Sequence, residues 1–271
     1  MIDTTRHPCF NSSSKHSFGR VHLPGAPRCN VQCNFCDRRY ACAGENRPGV
    51  TVSLLSPRRS AAYLDKAVEI DPRISVAGIA GPGDPLANAE KTLETMRLVR
   101  QAHPEILLCV ATNGLALPGC VDDLANLETS HVSVTVNAVD PAVGAKVYAW
   151  IRDGKKIYRG ADGAALLLER QLEGIAALKK NGIIVKINTI VIPGVNEGHA
   201  VDVARSMKEA GADMLNMIAV YPVEGTPFGG LEEQTSESMA ALRKEAEKHL
   251  PQMRHCTRCR ADAAGLLGQD D

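Results

Sequence analysis

Six short runs of mainly aliphatic and β-branched residues recur along the chain at 20–26, 74–80, 106–111, 131–137, 183–190 and 214–220. Each is followed by a loop of turn-forming or reactive residues and then by a longer stretch with helical character. Strands separated by helix-length segments join by crossovers rather than hairpins, so they lie parallel with helices over them. The pattern predicts an α/β fold, a partial TIM-type barrel of about six βα units. Only four Phe and one Trp are available, and a core of Ala, Val, Ile and Leu suits parallel strands under helices. Helix starts are marked at Ser56-Pro57 and Asp140-Pro141, where a capping oxygen precedes a proline suited to the first helical position. From Ala164 to Lys180 apolar residues recur at Leu168, Leu172, Ile175 and Leu178, and Asn181-Gly182 supplies a left-handed stop. No repeat or linker divides the chain, so residues 1–271 read as one domain. Residues 1–19 and 250–271 are irregular and read as N- and C-terminal cluster-binding extensions, carrying Cys9 and the pair Cys256, Cys259.

Charge excludes several function classes. Lys plus Arg (31) balances Asp plus Glu (31), which gives no global attraction to nucleic acid or anionic membrane. No apolar run approaches the roughly 20 residues of a membrane span, and the polar start MIDTTRHPCF is unlike a signal peptide, so a cytoplasmic location is expected. Nine cysteines cannot all pair as internal disulfides, and metal binding is the better use of so many thiols in a cytosolic chain.

The chemistry concentrates after the first predicted strand, where Cys29, Cys33 and Cys36 form C-x3-C-x2-C. Three closely spaced thiolates hold three corners of a [4Fe-4S] cluster and leave one iron without a protein ligand. An open metal position is a reactive one, and S-adenosylmethionine (SAM) can fill it through its amino and carboxylate groups. With Phe35 just before the third cysteine, the motif resembles the signature of the radical SAM superfamily. The alternative reading of the same residues is a zinc site built from Cys33, Cys36, Cys256 and Cys259. After the second strand, Gly81-Pro82-Gly83-Asp84-Pro85 resembles the superfamily's SAM-binding loop, whose glycines let backbone approach a ligand closely. The resemblance further implies that Thr112, Asn137 and Asn188, at the ends of later strands, contact SAM.

Six cysteines exceed what one such cluster needs. Cys256 and Cys259 form a C-x2-C pair beside His255, Arg254, Arg258 and Arg260, cations expected to offset thiolate charge. Cys9 lies near His7, with His22 on the first strand, and Cys42 lies near Glu45. Cys120 reads as structural, and Cys109, inside a strand, by itself reads as core.

Read together, HPCF, APRCNVQCNFCDRRYAC, ENRPGV, GIAGPGDPLAN, ATNGLALP, IPGVN and QMRHCTRCRADAAGLLG resemble the core of the NifB-type nitrogenase cofactor maturases almost end to end. That resemblance implies three [4Fe-4S] clusters, one binding SAM and two serving as precursors. The two are fused around a carbide, one SAM methylating a cluster sulfide and another supplying the radical that removes hydrogen from that methyl. An added sulfur completes an [8Fe-9S-C] product. Implied ligands for the precursors are Cys9, Cys42, Cys256 and Cys259, with His22 and His7 as nitrogen ligands and Glu45 as ligand or proton handler. Implied partners are a nitrogenase cofactor scaffold or small cluster carrier, an iron-sulfur donor and a reductant protein. The competing readings are a radical SAM enzyme with auxiliary clusters acting on a peptide or small organic substrate, and a non-enzymatic iron-sulfur scaffold or electron carrier.

Overall fold

The computed structural model describes residues 3–269. Its main sheet contains six parallel strands in sequential order: β1 (Gly19–Pro24), β3 (Ile74–Ala80), β4 (Leu107–Thr112), β5 (Thr129–Thr135), β8 (Ile184–Val191) and β9 (Met214–Ala219). These are the six expected strands, and the sheet curls into a half-barrel. The helices between them are α1 (Pro57–Ile70), α2 (Ala89–Ala102), α3 (Val121–Asn126), α5 (Gly160–Lys180) and α6 (Ala200–Glu209), with α4 (Pro141–Val147) and α7 (Ser236–Ala246) completing the set. Ser56 and Asp140 cap α1 and α4 with Pro at the first helical turn, and α5 ends at Asn181 before Gly182 at φ +72°. Among the described residues no helix is long and apolar enough to cross a membrane.

Two features go beyond the alternating pattern. The C-terminal tail adds β10 (Ala264–Gly265) antiparallel to β1, which closes that edge of the sheet. A second sheet joins β2 (Val31–Cys33) to the hairpin β6 (Tyr148–Asp153) and β7 (Lys156–Tyr158). The cysteine loop is thus itself partly a strand, with Cys33 opposite Tyr148.

Strand alternation separates the core from the site. Val21, Leu23, Ala77, Leu108, Val110, Val132, Val134, Val185, Ile187, Leu215 and Met217 face the helices and form the main apolar cluster with Leu64, Met96, Leu124 and Ile175. The intervening residues face the hollow of the half-barrel. Register aligns His22 with Gly78, Gly78 with Cys109, and Cys109 with His131, forming one row across four strands. Ala111, Ser133 and Lys186 form the next row. Imidazole, thiol, hydroxyl and ammonium side chains from positions far apart in sequence are therefore brought into adjacent rows by sheet geometry.

Candidate functional site

The hollow holds two adjoining cavities. The outer one is lined by Cys29, Cys33, Phe35, Cys36, Arg38, Cys42, Glu45, Gly83, Asp84 and Asn113, among others. Its shape depends on close backbone contact between two loops. Gly83 donates its N–H to the Ala26 carbonyl at 2.6 Å, and Asp84 donates to the Arg28 carbonyl at 2.8 Å. A Cβ on Gly83 would run into the Arg28 carbonyl, and one on Gly81 would lie 2.7 Å from the Gly83 carbonyl oxygen, so both glycines are required by proximity. Asp84 is buried and its carboxylate is fully engaged. It accepts from Leu86 N and Ala87 N at 2.9 and 3.0 Å, from the Thr112 hydroxyl at 2.9 Å and from Asn113 N at 2.6 Å. Asp84 and Thr112 thus brace the loop, joining it to the end of β4.

Arg38 and Gln32 fix the cysteine loop from the other side. Arg38 donates to Gln32 Oε1 at 2.6 Å and to the carbonyls of Val31 and Cys29 at 2.7 and 3.2 Å, while Gln32 Nε2 donates to the carbonyls of Cys36 and Cys33. Phe35 is buried beside Val31, Val147 and Tyr148 and anchors the loop apolarly. Burial, then the Asp84 carboxylate, pushes the Cys29 thiol up to about 12, and burial pushes Cys33 well above its ordinary range. Thiols buried this way ionise when a cation offsets the thiolate charge, which bound iron supplies as the protons leave. Asn113 Nδ2 lies 3.6 Å from Cys29 Sγ, the kind of donor that tunes a cluster sulfur. The residues present therefore fit a three-cysteine [4Fe-4S] cluster with SAM.

The inner cavity is lined by His7, Cys9, His22, Cys109, Cys256 and Cys259, together with Arg20, Glu45, Ser133, Lys186, Asn188 and Asn216. The two chain ends meet here. Buried Arg20 donates to the carbonyls of Gly265 and Leu266 at 2.7 and 2.9 Å and to Cys259 Sγ at 2.9 Å. His255 Nε2 lies 2.9 Å from the Pro8 carbonyl, and Arg258 reaches the carbonyls of Ala219 and Ala43, each at 3.1 Å. Four thiols from three distant segments thus share one cavity wall, and burial pushes Cys9 up to about 11 and Cys109 up to about 12. Glu45 lines both cavities, and its Oε2 is buried without a partner. Burial, then the Asp84 charge, raises its carboxyl well above the usual range.

The two histidines in this cavity differ in chemistry. His22 Nδ1 faces the Arg260 carbonyl at 2.8 Å and must donate there, which places the imidazole lone pair on Nε2, the form that binds metal. His7 Nδ1 accepts from Cys9 N at 3.2 Å, which places the proton on Nε2, an atom buried without a partner. His7 thus presents an N–H to the cavity and His22 an imidazole lone pair. Lys186 is buried with its ammonium 4.7 Å from the Phe10 ring centroid and 4.0 Å from Met253 Sδ, and it has no carboxylate partner among the described residues.

Several expected positions fall elsewhere. Cys42 lies in the outer cavity with the triad, apart from Cys9, Cys256 and Cys259. Cys33 and Cys36 line one cavity and Cys256 and Cys259 the other, so the four are not gathered into one zinc site. Asn188 lines the inner cavity, where it accepts from Asn216 Nδ2 at 3.2 Å. Asn137 is fully buried between strand ends, its Oδ1 accepting from Ile190 N at 2.9 Å. Of the tail cations expected to offset thiolate charge, Arg254 pairs with Glu247 at 2.6 Å and Arg260 with Asp262 at 2.9 Å. Arg20 contacts Cys259 instead. Cys109, Lys186, Arg20 and Asn216 are the residues that sequence reading missed. Their signal was parity: each shares the odd or even phase of the inward row on its strand.

Residues 23–207 match the radical SAM superfamily, and the chain belongs to it. It is accordingly an iron-sulfur enzyme that binds a [4Fe-4S] cluster and SAM. Within that class it is similar to the FeMo cofactor biosynthesis protein NifB of Chlorobaculum tepidum, at 52% identity over 99% of this chain and 63% of that protein. The NifB proteins of Klebsiella pneumoniae (44% identity, 97% of this chain, 57% of that protein) and Azotobacter vinelandii (41%, 97%, 53%) are also similar. The chain spans roughly half to under two thirds of the length of these curated relatives. Among solved structures, Streptococcus suis SuiB bound to S-adenosylmethionine superposes with TM-score 0.58 at 15% identity, covering 86% of this chain and 47% of that one. Methylornithine synthase PylB superposes with TM-score 0.55 at 15% identity, covering 93% and 76%. These likenesses establish the shared half-barrel.

Proposed function

We propose that this chain assembles an iron-sulfur precursor of the nitrogenase cofactor, fusing two [4Fe-4S] units, its substrates, around a carbon taken from SAM. The observation that carries this reading is the adjacency of two thiol-lined cavities with Glu45 in the wall of both. Similarity to NifB proteins over 97–99% of the chain supports it. In an enzyme acting on a peptide or small organic molecule the same thiols would hold a permanent auxiliary cluster, and release of iron-sulfur product separates the two readings.

Held by Cys29, Cys33 and Cys36, a [4Fe-4S] cluster with SAM supplies one-electron cleavage of a carbon-sulfur bond, and SAM also brings the methyl group. The chain's own residues set the conditions. The Gly81–Asp84 loop, braced by Thr112, gives the bound methionyl end a fixed backbone surface. Cys9, Cys109, Cys256, Cys259 and His22 offer the iron-sulfur substrates fewer ligands than two cubanes can take, which suits cargo that must leave. Cys42 places a further thiol in the outer cavity beside the triad. Glu45, with its raised carboxyl pKa, is suited to receive or release a proton at Oε2 as hydrogen is stripped from the carbon. Lys186 offsets the negative charge of thiolate-bound iron-sulfur substrate. A separate nitrogenase scaffold or carrier protein takes the product, and an iron-sulfur donor and a reductant feed the reaction.

The test is to supply SAM labelled with carbon-14 in the methyl group, under anaerobic reducing conditions, to protein loaded with iron and sulfide. The reading predicts label in an iron-sulfur fraction extractable from the protein, and its loss in Cys256→Ala/Cys259→Ala while 5'-deoxyadenosine still forms from SAM. Label only in an organic or peptide product would overturn it.

A further inference from the structure

The overall charge of the chain is zero, but its distribution is not even. The hairpin from residue 152 to 159 reads Arg-Asp-Gly-Lys-Lys-Ile-Tyr-Arg, four cations against one carboxylate. Arg152, Lys155, Lys156 and Arg159 are all exposed, and none has an ion-pair partner among the described residues. The carboxylate, Asp153, is already engaged from outside the hairpin by Arg170 at 3.9 Å. Ile157 is an exposed large apolar side chain in the middle of this charge. Arg152 and Lys156 lie over the Trp150 and Tyr158 rings at 5.7 and 4.4 Å, but like charges without counter-ions on a small hairpin still create a field that steers an anionic partner. An apolar anchor ringed by charge is the usual composition of a small transient interface.

The hairpin's place in the fold gives that field a purpose. Its inner strand β6 pairs directly with β2, the strand that carries Cys33. Arg152 N donates to the Asn30 carbonyl at 2.8 Å, and Asn34 N donates to the Val147 carbonyl at 2.8 Å, so the pairing continues on both sides of Gln32. Trp150 lies between Arg152, 5.7 Å from its ring, and Arg38, 5.0 Å from it, and Arg38 in turn holds the Cys29 and Val31 carbonyls. The basic surface is thus one strand away from the cysteine triad.

We propose that the β6–β7 hairpin is the docking surface for an acidic one-electron carrier protein that reduces the SAM-binding cluster. One electron leaves the reduced carrier, which is oxidised by one, and passes through the triad-bound cluster to the sulfonium of SAM. The carbon-sulfur bond breaks to give methionine and a 5'-deoxyadenosyl radical. The proposal rests on membership of the superfamily and not on the identity of the product.

The experiment compares wild type with Lys155→Glu/Lys156→Glu/Arg159→Glu as the reconstituted full chain, measuring 5'-deoxyadenosine formation. One series is driven by dithionite, which needs no docking surface, and the other by pre-reduced flavodoxin, an acidic carrier. With dithionite the two proteins should agree within about twofold. With flavodoxin the variant's KM for the carrier should rise by about tenfold or more, and the steep rise of the wild-type KM between about 50 and 300 mM salt should flatten. Equal KM values and equal salt dependence would overturn the proposal. If the triple variant loses activity with both reductants, the charge reversal has disturbed β2, and Lys155→Gln/Lys156→Gln, at the hairpin tip away from β2, decides. A raised flavodoxin KM in that pair with normal dithionite activity supports docking here, and an unchanged KM refutes it.

Discussion

Replacing Gly83 with Ala tests whether the SAM loop and the cysteine loop are one mechanical unit. A Cβ at Gly83 meets the Arg28 carbonyl and would lie 2.9 Å from the Ala26 carbonyl oxygen. Both obstacles are backbone, so relief requires the two loops to part. Parting them breaks the bonds from Gly83 N to Ala26 O and from Asp84 N to Arg28 O, and weakens that from Asn88 Nδ2 to Arg28 O. Each such bond contributes about 1 kcal/mol net, and forcing an extra methyl into packed structure costs about 1–3 kcal/mol. A destabilisation of roughly 3–5 kcal/mol follows, which is a fall of about 10 °C in the melting point of a domain this size. Because Arg28 immediately precedes Cys29, the same movement displaces the first cluster ligand, and a shift of about 1 Å at a reacting centre can cost on the order of a hundredfold in rate. Thermal unfolding by circular dichroism and dithionite-driven SAM cleavage measure the two effects. Gly198→Ala, where nothing lies within 4 Å, is the control and should change neither. Wild-type melting and SAM cleavage in Gly83→Ala would refute the coupling.

Lys186→Met keeps the length of the side chain but removes the ammonium. SAM cleavage should persist while iron retained beyond the SAM cluster falls, as iron per chain after gel filtration reports. Burial, then the Lys186 charge, lowers His131 to about 3. The unfolded chain therefore binds a proton below pH ~6.5 that the folded chain refuses, and stability is lost as pH falls from there toward 3. Between pH ~7.5 and ~5.5 the loss should be about 1 kcal/mol, and denaturant titrations should show a shallower slope in His131→Gln. Arg38→Lys retains the charge but not the fork that reaches Gln32, Cys29 and Val31 together, so it should release the SAM cluster nearly as readily as Arg38→Ala, seen as bleaching of the cluster absorbance.

The fold was legible because six aliphatic runs separated by helix-length segments leave few arrangements other than a parallel sheet in sequential order. The triad and its glycine loop were legible because their residues are contiguous. The inner cavity was only half legible. Cys9, His22, Cys256 and Cys259 stand out as residue types, but their meeting depends on Arg20 and His255 fastening two chain ends, which no local pattern records. Cys109 and Lys186 sit within apolar strands, and only the register that aligns Cys109 with Gly78 and Ser133 with Lys186 turns them inward together. The hairpin beside β2 was missed because Cys33 belongs to a three-residue strand whose partner lies more than a hundred positions away.

On the proposed function, one chain holds a SAM-binding cluster and, beside it, iron-sulfur substrate in a second thiol-lined chamber. Anaerobic iron and sulfide quantification on the reconstituted protein, with electron paramagnetic resonance before and after SAM, tests it most directly. About twelve irons per chain are expected, with a SAM-responsive signal and a fall to about four irons in Cys256→Ala/Cys259→Ala/Cys109→Ala with that signal unchanged. About four irons in the wild type, or zinc in place of iron, would contradict it.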